Sequence, residues 1–491
     1  MKTKTDRAVP PGGIIPSRGF HPPLQPSEIK NEQEVAVLSM AGFLLVIEKY
    51  FITQECGFNI TKVGFFQAGY HQKRDTISLL VLMNMYLTLA IVILTYIGIA
   101  VGRYPIIKSN RATVALLGVG MLLVARQIDF AALPDYLDFN TLILLFSMMI
   151  INANLRLAGF FTLAGGWLLR FARTPRMLLA LEILLVGVLS ALFLNDTICL
   201  MFTPFLLEMM DTARRNPIPY LIALATASNI GSVATLTGNP QNMIIGVASG
   251  ISYLQFTWSL LPIAVASLGI IWVVIVKLYP YEFKPAKISE TTLPPVQVTK
   301  PLLVKTLVVV TGLLIAFLAG VPVAAAAFLA ACVLLITRRH QPQMVFAEFD
   351  WGLLVFFSGL FIVSGSLETS GLTHRLISSQ SLIQNLNAWN LTLVTAILSN
   401  LVSNVPAVLL LKPLVTALAN PAPAWLTLAA ASTLAGNLTL LGSVANLIVA
   451  EIANRWRVDL GFWEYARAGI IITILSLLIS AIWLALVIWR P

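Results

Sequence analysis

An apolar segment at residues 220–249 contains SNIGSVATLTGNPQN, residues 228–242. Hydrocarbon holds no water to pair with backbone groups. Irregular backbone at membrane depth therefore persists only where protein buries it or where it lines a polar cavity. The stretch reads as a broken helix whose freed N–H and C=O groups face a solute, together with the side chains of Asn229, Asn239 and Asn242. Small residues also let membrane helices approach closely. That accounts for Gly231 and Ser232, but not for the run Gly238, Asn239, Pro240, Gln241, Asn242.

The surroundings are those of a membrane protein. Of 491 residues, 58% are hydrophobic and 11% charged, against about 25% charged in soluble domains. Repeated apolar runs of about 20 residues read as spanning helices. The polar stretches (the N-terminal tail, 48–76 and 279–300) are too short for a separate catalytic domain. The net charge of +10 fits basic residues collected in cytoplasmic loops, with membrane lipid rather than nucleic acid as partner. Cys56, Cys199 and Cys332 are scattered without metal spacing. There is no phosphate-binding glycine loop and no Ser/His/Asp signature, so the expectation is a protein that is not an enzyme and needs no cofactor. Residues 1–33 lack the order of a cleaved signal and read as a disordered cytoplasmic tail. Residues 34–76 read as a first span or interfacial helix followed by a loop.

The rest of the chain says the same thing twice. Residues 77–278 form one repeat and 302–491 a second, joined by a cytoplasmic linker at 279–301. Asp138–Phe160 overlays Asp350–Leu372, placing Gly159 on Gly371 and Arg156 on Glu368. Leu189–Pro204 overlays Leu398–Pro413, placing Asn195 on Asn404. Ala227–Asn242 overlays Ala431–Asn446, placing Thr235 on Thr439, Gly238 on Gly442 and Asn242 on Asn446. Each repeat has an apolar block interrupted by a polar tip: Asn195, Asp196, Thr197 in 177–212, and Ser403, Asn404, Val405, Pro406 in 388–418. Each block reads as a re-entrant hairpin.

Arg103, Lys108 and Arg111 mark one loop as cytoplasmic, while Asp129, Asp135 and Asp138 lie on the other side. Arg170, Arg173, Arg176, Arg214 and Arg215 place both ends of the first hairpin in the cytoplasm. Arg338, Arg339, Arg455 and Arg457 make the second hairpin face outward. The expected fold is an all-α polytopic membrane protein of two inverted repeats, each of about five spans plus a hairpin, about 11 spans in total. Such a plan holds its solute near the midplane between discontinuous helices.

The two tips and the two breaks should converge. Helix N-termini there suit an anion, while unwound carbonyls suit a cation. The candidate binding residues are Asn195, Asp196, Thr197, Asn229, Gly238, Asn239, Pro240, Asn242, Ser403, Asn404, Asn437, Thr439, Gly442, Ser443 and Asn446. Charges inside apolar blocks are functional candidates by default. Asp196 either carries a coupling proton or caps the second hairpin arm. Lys412 reads as snorkelling, and Glu182 and Glu208 as solvated near the cytoplasmic ends of the first hairpin.

The segments Asn195-Asp196-Thr197, TPFLLEMM, ASNIGSVATLTGNPQNMIIG, SNVPAVLLLKPL and GNLTLLGSVANLIVAE resemble the ion transporter superfamily. That group includes divalent anion–sodium symporters, citrate carriers, arsenite efflux permeases and some sodium–proton antiporters. The resemblance runs from about residue 77 to 488. It implies a secondary active transporter of a small inorganic or organic anion, in a bacterial inner membrane with a cytoplasmic N-terminus. It also implies a homodimer and an elevator motion. Sodium would be held at Asn195, Gly238, Asn404 and Gly442. The first tip reads Leu-Asn-Asp-Thr rather than Ser-Asn-Thr, and the second break lacks the proline pair. Proton coupling through Asp196 is thus the alternative to sodium. Arsenite or antimonite efflux and cation–proton antiport are the alternative functions.

Overall fold

Apolar runs closed by capping residues delimit the helices of this chain. The computed structural model describes residues 68–101, 110–284, 298–336, 342–371 and 386–489, which all belong to one unit, 63–491. The expectations for the tail and for residues 34–67 lie outside the described residues. Helix α1, Ala68–Val101, begins well before the apolar run at 77. The helix extends through polar residues, and only its later part, Met83–Ala100, is apolar enough to span.

The first half continues with α2 (Arg111–Val124), a 3-10 turn (Phe130–Tyr136), α3 (Phe139–Leu157) and α4 (Phe160–Phe171). Next come α5 (Pro175–Leu192) and α6 (Asn195–Thr212), joined at Phe193 and Leu194, then α7 (Ile218–Ser232), α8 (Pro240–Ser249) and α9 (Tyr253–Leu278). The second half holds α10 (Lys300–Leu318), α11 (Val323–Leu335), the short α12 (Pro342–Ala347) and α13 (Trp351–Thr369). After it come α14 (Ala388–Val402), α15 (Asn404–Thr416), α16 (Ala422–Ala435), a 3-10 turn (Leu440–Gly442), α17 (Val444–Arg455) and α18 (Phe462–Trp483). Among the described residues every regular element is helical. Of the described residues, seven helices are long and apolar enough to cross a membrane: 83–100, α3, α5, α9, α10, α13 and Phe462–Ile488. By length α5 qualifies as a span, yet it turns straight into α6.

The repeat seen in the sequence is a repeat in structure. α3 and α13 start and stop alike. Asp138 accepts from the Thr141 N–H (3.2 Å) and Asp350 from the Leu353 N–H (3.1 Å). Gly159 and Gly371 follow at φ 77° and 80°, the left-handed position that ends a helix and favours glycine. In each half the first hairpin arm packs on the helix that precedes the break, α5 on α7 and α14 on α16. The halves then interlock: α17 packs on α6 and α7, while α8 packs on α15 and α16. Helices α2, α3, α11 and α13 pack against one another, α2 on α13 and α3 on α11. Leu117, Val308, Ile315, Leu329 and Ile474 are all more than half exposed, as a hydrocarbon-facing surface requires.

The α5–α7 crossing is set by glycine. A Cβ on Gly231 would stand 2.2 Å from the Gly187 carbonyl oxygen, a backbone atom that has no rotamer to escape into. Gly231→Ala should therefore force the two helices apart at a cost of about 1–3 kcal/mol and lower the melting temperature of the detergent-purified protein. Gly120→Ala, with nothing within 4 Å of the new Cβ, should leave it unchanged. Equal melting curves would refute the glycine-set crossing.

Candidate functional site

Where α7 stops at Ser232 its last carbonyls lose their helical partners. Asn242, in the first turn of α8, holds one of them and one from the loop beyond: its Nδ2 donates to Ser232 O (3.0 Å) and Thr235 O (2.9 Å). Asn446, in the first turn of α17, does the same for the second break, donating to Gly436 O (2.8 Å) and Thr439 O (3.0 Å). The backbone then folds so tightly that only glycine fits. A Cβ on Gly238 would lie 2.5 Å from Ser232 O, and one on Gly442 would lie 2.8 Å from Gly436 O. Asn239 caps α8 by accepting from the Asn242 N–H (2.8 Å), with Pro240 at the first helical position, where a missing N–H loses nothing.

Two residues tie the breaks together. Asn229 donates through Nδ2 to Asn437 Oδ1 (2.8 Å) and Asn446 Oδ1 (3.0 Å). Its Oδ1 accepts from Asn195 Nδ2 and from Ser443 Oγ, both at 3.0 Å. Thr433 stands at the matching position in the other half. Its hydroxyl accepts from Asn239 Nδ2 (3.3 Å) and Gln241 Nε2 (3.1 Å). Position 229 overlays 433, and 239 overlays 443. The contact is therefore made twice with the halves exchanged.

The tips meet the same centre. The Asn195 N–H donates to Gly238 O (3.0 Å), and Thr197 Oγ1 accepts from Asn152 Nδ2 of α3 (3.3 Å). Asn404 is buried, accepts from Ser399 Oγ (2.7 Å), and lies against Gly436. Ser403 has φ 79°, a left-handed conformation uncommon outside glycine. Eleven of the candidates are thus buried together: Asn195, Asn229, Gly238, Asn239, Pro240, Asn242, Asn404, Asn437, Gly442, Ser443 and Asn446. Asp196, Thr197, Ser403 and Thr439 are half-buried. Asp196 sits in the first turn of α6, whose cap, Leu194, has no side-chain hydrogen bond, so the capping role is not realised. It lies within electrostatic reach of Arg111 and Asp350.

Two features decide what the centre can hold. The N-termini of α6, α15 and α17, capped by Leu194, Ser403 and Ser443, receive no side-chain cap bond; that of α8 does. Uncapped N-termini leave N–H donors and the positive dipole end for another acceptor. Conversely, the Oδ1 atoms of Asn152, Asn195, Asn242 and Asn400 are buried without a donor. Of the four residues expected to hold sodium, Asn195 offers a free side-chain oxygen. The Gly238 carbonyl is taken by the Asn195 N–H, and Asn404 Oδ1 by Ser399. The cation fit is partial, and it brings in Asn400, whose Oδ1 lies 3.2 Å from where a Gly442 Cβ would stand.

Asn152, Asn400, Gln241 and Thr433 were not among the sequence candidates. The signal for the two asparagines was an amide inside an apolar run. One reading is corrected. Glu182 is not solvated; its side chain is 1% exposed, because it lies on the face of α5 turned into the protein. Arg156, which the overlay pairs with Glu368, makes an ion pair in the last turn of α3 with Glu348, just past α12.

Comparison with known proteins agrees with this architecture. The model of a family described as citrate transporter matches residues 89–435. The chain is 30% identical over 438 residues to the silicon efflux transporter LSI3 of Oryza sativa subsp. japonica, covering 74% of this chain and 90% of that one. It is 30% identical over 428 residues to a 46 kDa membrane protein of Mycobacterium leprae, covering 81% and 97%. It is 23% identical over 514 residues to the putative transporter arsB of Dictyostelium discoideum, covering 80% and 91%. Among solved structures, the Alcanivorax borkumensis YdaH transporter superposes with a TM-score of 0.56 at 14% identity, covering 83% of this chain and 97% of that one.

Removing the Asn229 amide deletes four buried hydrogen bonds and orphans their partners, at about 1–3 kcal/mol for each group left unpaired. Asn229→Ala should lower the melting temperature more than Thr433→Ala, which removes two bonds. A smaller effect at Asn229 than at Thr433 would contradict its place as the tie between the halves.

Proposed function

The chain is a membrane transporter of the citrate transporter family, and from that premise we propose that it moves a small inorganic or organic anion by secondary active transport. The observation that carries this is the set of three uncapped helix N-termini, α6, α15 and α17, around one buried centre. With no Lys or Arg among the tips and breaks, the solute's negative charge meets only N–H groups, hydroxyls and amides. The unpaired amide oxygens are the places for the coupling cation, sodium or a proton carried by Asp196. The hairpins α5–α6 and α14–α15 are re-entrant, the first open to the cytoplasm and the second to the outside. They move with the breaks in an elevator motion within a homodimer; charge placement and the repeat support that reading.

A second reading is favoured by one observation. Buried amide oxygens without donors, at Asn152, Asn195 and Asn400, suit the hydroxyl groups of a neutral hydroxide such as arsenous or silicic acid, in an efflux carrier. Cation–proton antiport is the remaining alternative.

Uptake by proteoliposomes of the purified chain tests these readings with sulfate, citrate, a dicarboxylate, arsenite and silicate, under an imposed sodium or proton gradient. Gradient-driven flux of a charged anion, lost in Asn195→Ala and Asn404→Ala, is the expected result. Flux of arsenite or silicate alone selects the neutral-hydroxide reading. Sodium-dependent proton movement without any solute flux overturns both.

A further inference from the structure

Hairpin arm α5 carries an acid that the central site does not use. Glu182 lies about 10 Å along the helix from Pro175. Its side chain is 1% exposed, and neither carboxylate oxygen has a hydrogen-bond partner. Among the described residues no cation pairs with it. An ionised carboxylate isolated in this way is far costlier to bury than the neutral acid.

The helices packed on α5 are α4, α6, α7 and α9. Their ionisable groups toward the same end are turned to solvent: Arg170 on α4, Glu208 and Asp211 on α6, and Lys277 on α9 are all exposed. Tyr220 on α7 is different. It is buried, lies within electrostatic reach of Glu182, and donates its hydroxyl to Glu282 Oε1 (3.3 Å). Glu282 is paired with Arg215 (3.3 Å), and their side chains retain 13% and 19% exposure. Phe283, fully buried, stacks obliquely on the Tyr220 ring at 5.6 Å. Glu182 itself hydrogen-bonds neither Tyr220 nor Glu282, so the buried acid is not joined to the ion pair that water reaches. Asp196, Cys199 and Tyr253, on the same neighbouring helices, lie toward the opposite end of α5 and take no part.

We propose that Glu182 is a proton-binding site of the carrier and that its proton holds α5 closed on α7. The proposal rests on the transporter reading and names protons as the coupling ion. Loading forms one O–H bond on a Glu182 carboxylate oxygen, the proton coming from hydronium, which leaves as water. Ionised Glu182 needs water, so losing the proton is linked to separation of α5 from α7. The closed hairpin binds the proton more tightly than the open one, so rising pH favours opening.

The test is the infrared spectrum of the purified full-length chain. At neutral pH the wild type should show the carbonyl stretch of a protonated carboxylic acid. That band should persist in Glu208→Gln and Asp196→Asn and vanish in Glu182→Gln, the isostere of the neutral acid. Should Glu182→Gln not purify, Glu182→Asp serves, because it must shift the band. In proteoliposomes, Glu182→Gln should reduce uptake driven by a proton gradient by about 10-fold while leaving solute–solute exchange intact. Absence of the band in the wild type, or a band unchanged by either Glu182 substitution, overturns the proposal. So does proton-driven uptake unchanged in Glu182→Gln. Failure of the transporter reading looks different: the wild type passes no solute at all, while the Glu182 band is still present.

Discussion

A helix broken inside a membrane must satisfy its freed backbone from within the protein, and the fold of this chain depends on how that is done. One asparagine per break does much of it. Asn242 and Asn446 each hold two carbonyls of the break, one where the preceding helix ends and one in the loop beyond it, groups that would cost about 1–3 kcal/mol apiece if left unpaired. Placing each asparagine there pulls the chain into a loop so tight that positions 238 and 442 admit only glycine. The same loops bring Asn229 against Asn437, Ser443 and Asn446, and Thr433 against Asn239 and Gln241. Satisfying each break locally is also what joins the two halves.

What the breaks leave unsatisfied defines the chemistry. Their carbonyls are closed, but three of the four helix starts around the centre are not capped by a side chain. The imbalance leaves donors and partial positive charge, supplied by backbone that cannot titrate. A fixed Lys or Arg would bind an anion more strongly, but release matters as much as capture in a carrier. Dipole ends within the first turn contribute about 0.3–1 kcal/mol each, a scale that permits both.

Much of this was legible because local rules write themselves into local sequence. Glycine and asparagine at the breaks, aspartate before α3 and α13 and glycine after them recur in the same order in both halves. Each has a backbone reason that is visible without tertiary structure. Contacts between residues such as Asn229 and Asn437, 208 positions apart, have no such local mark. Glu182 was misread for a related reason. An acid near the end of an apolar arm looks able to reach water, and only the packing of α5 on α7 and α9 reveals that its face points inward. Asn152 and Asn400 are single amides in apolar runs, and sequence gives no register to say which face of the helix they occupy. The start of α1 at Ala68 shows the complementary limit: apolarity marks where a helix can meet lipid, not where it begins.

The two halves are not equal where they matter most. Asp196 at the first tip lies within electrostatic reach of Arg111 on α2 and of Asp350, which caps α13. Its counterpart in the second half, Val405, is buried and apolar. The second tip instead carries Ser403 at φ 79°, a conformation that costs about 1–3 kcal/mol in a residue with a Cβ. A symmetric pair of tips would respond identically to any displacement from the surrounding helices. Here the first tip has a charge whose energy depends on its distance from α2 and α13, and the second has strain that depends on its own loop alone. Any displacement of the centre relative to α2 and α13 would therefore change the first tip's energy and leave the second tip's strain as it is.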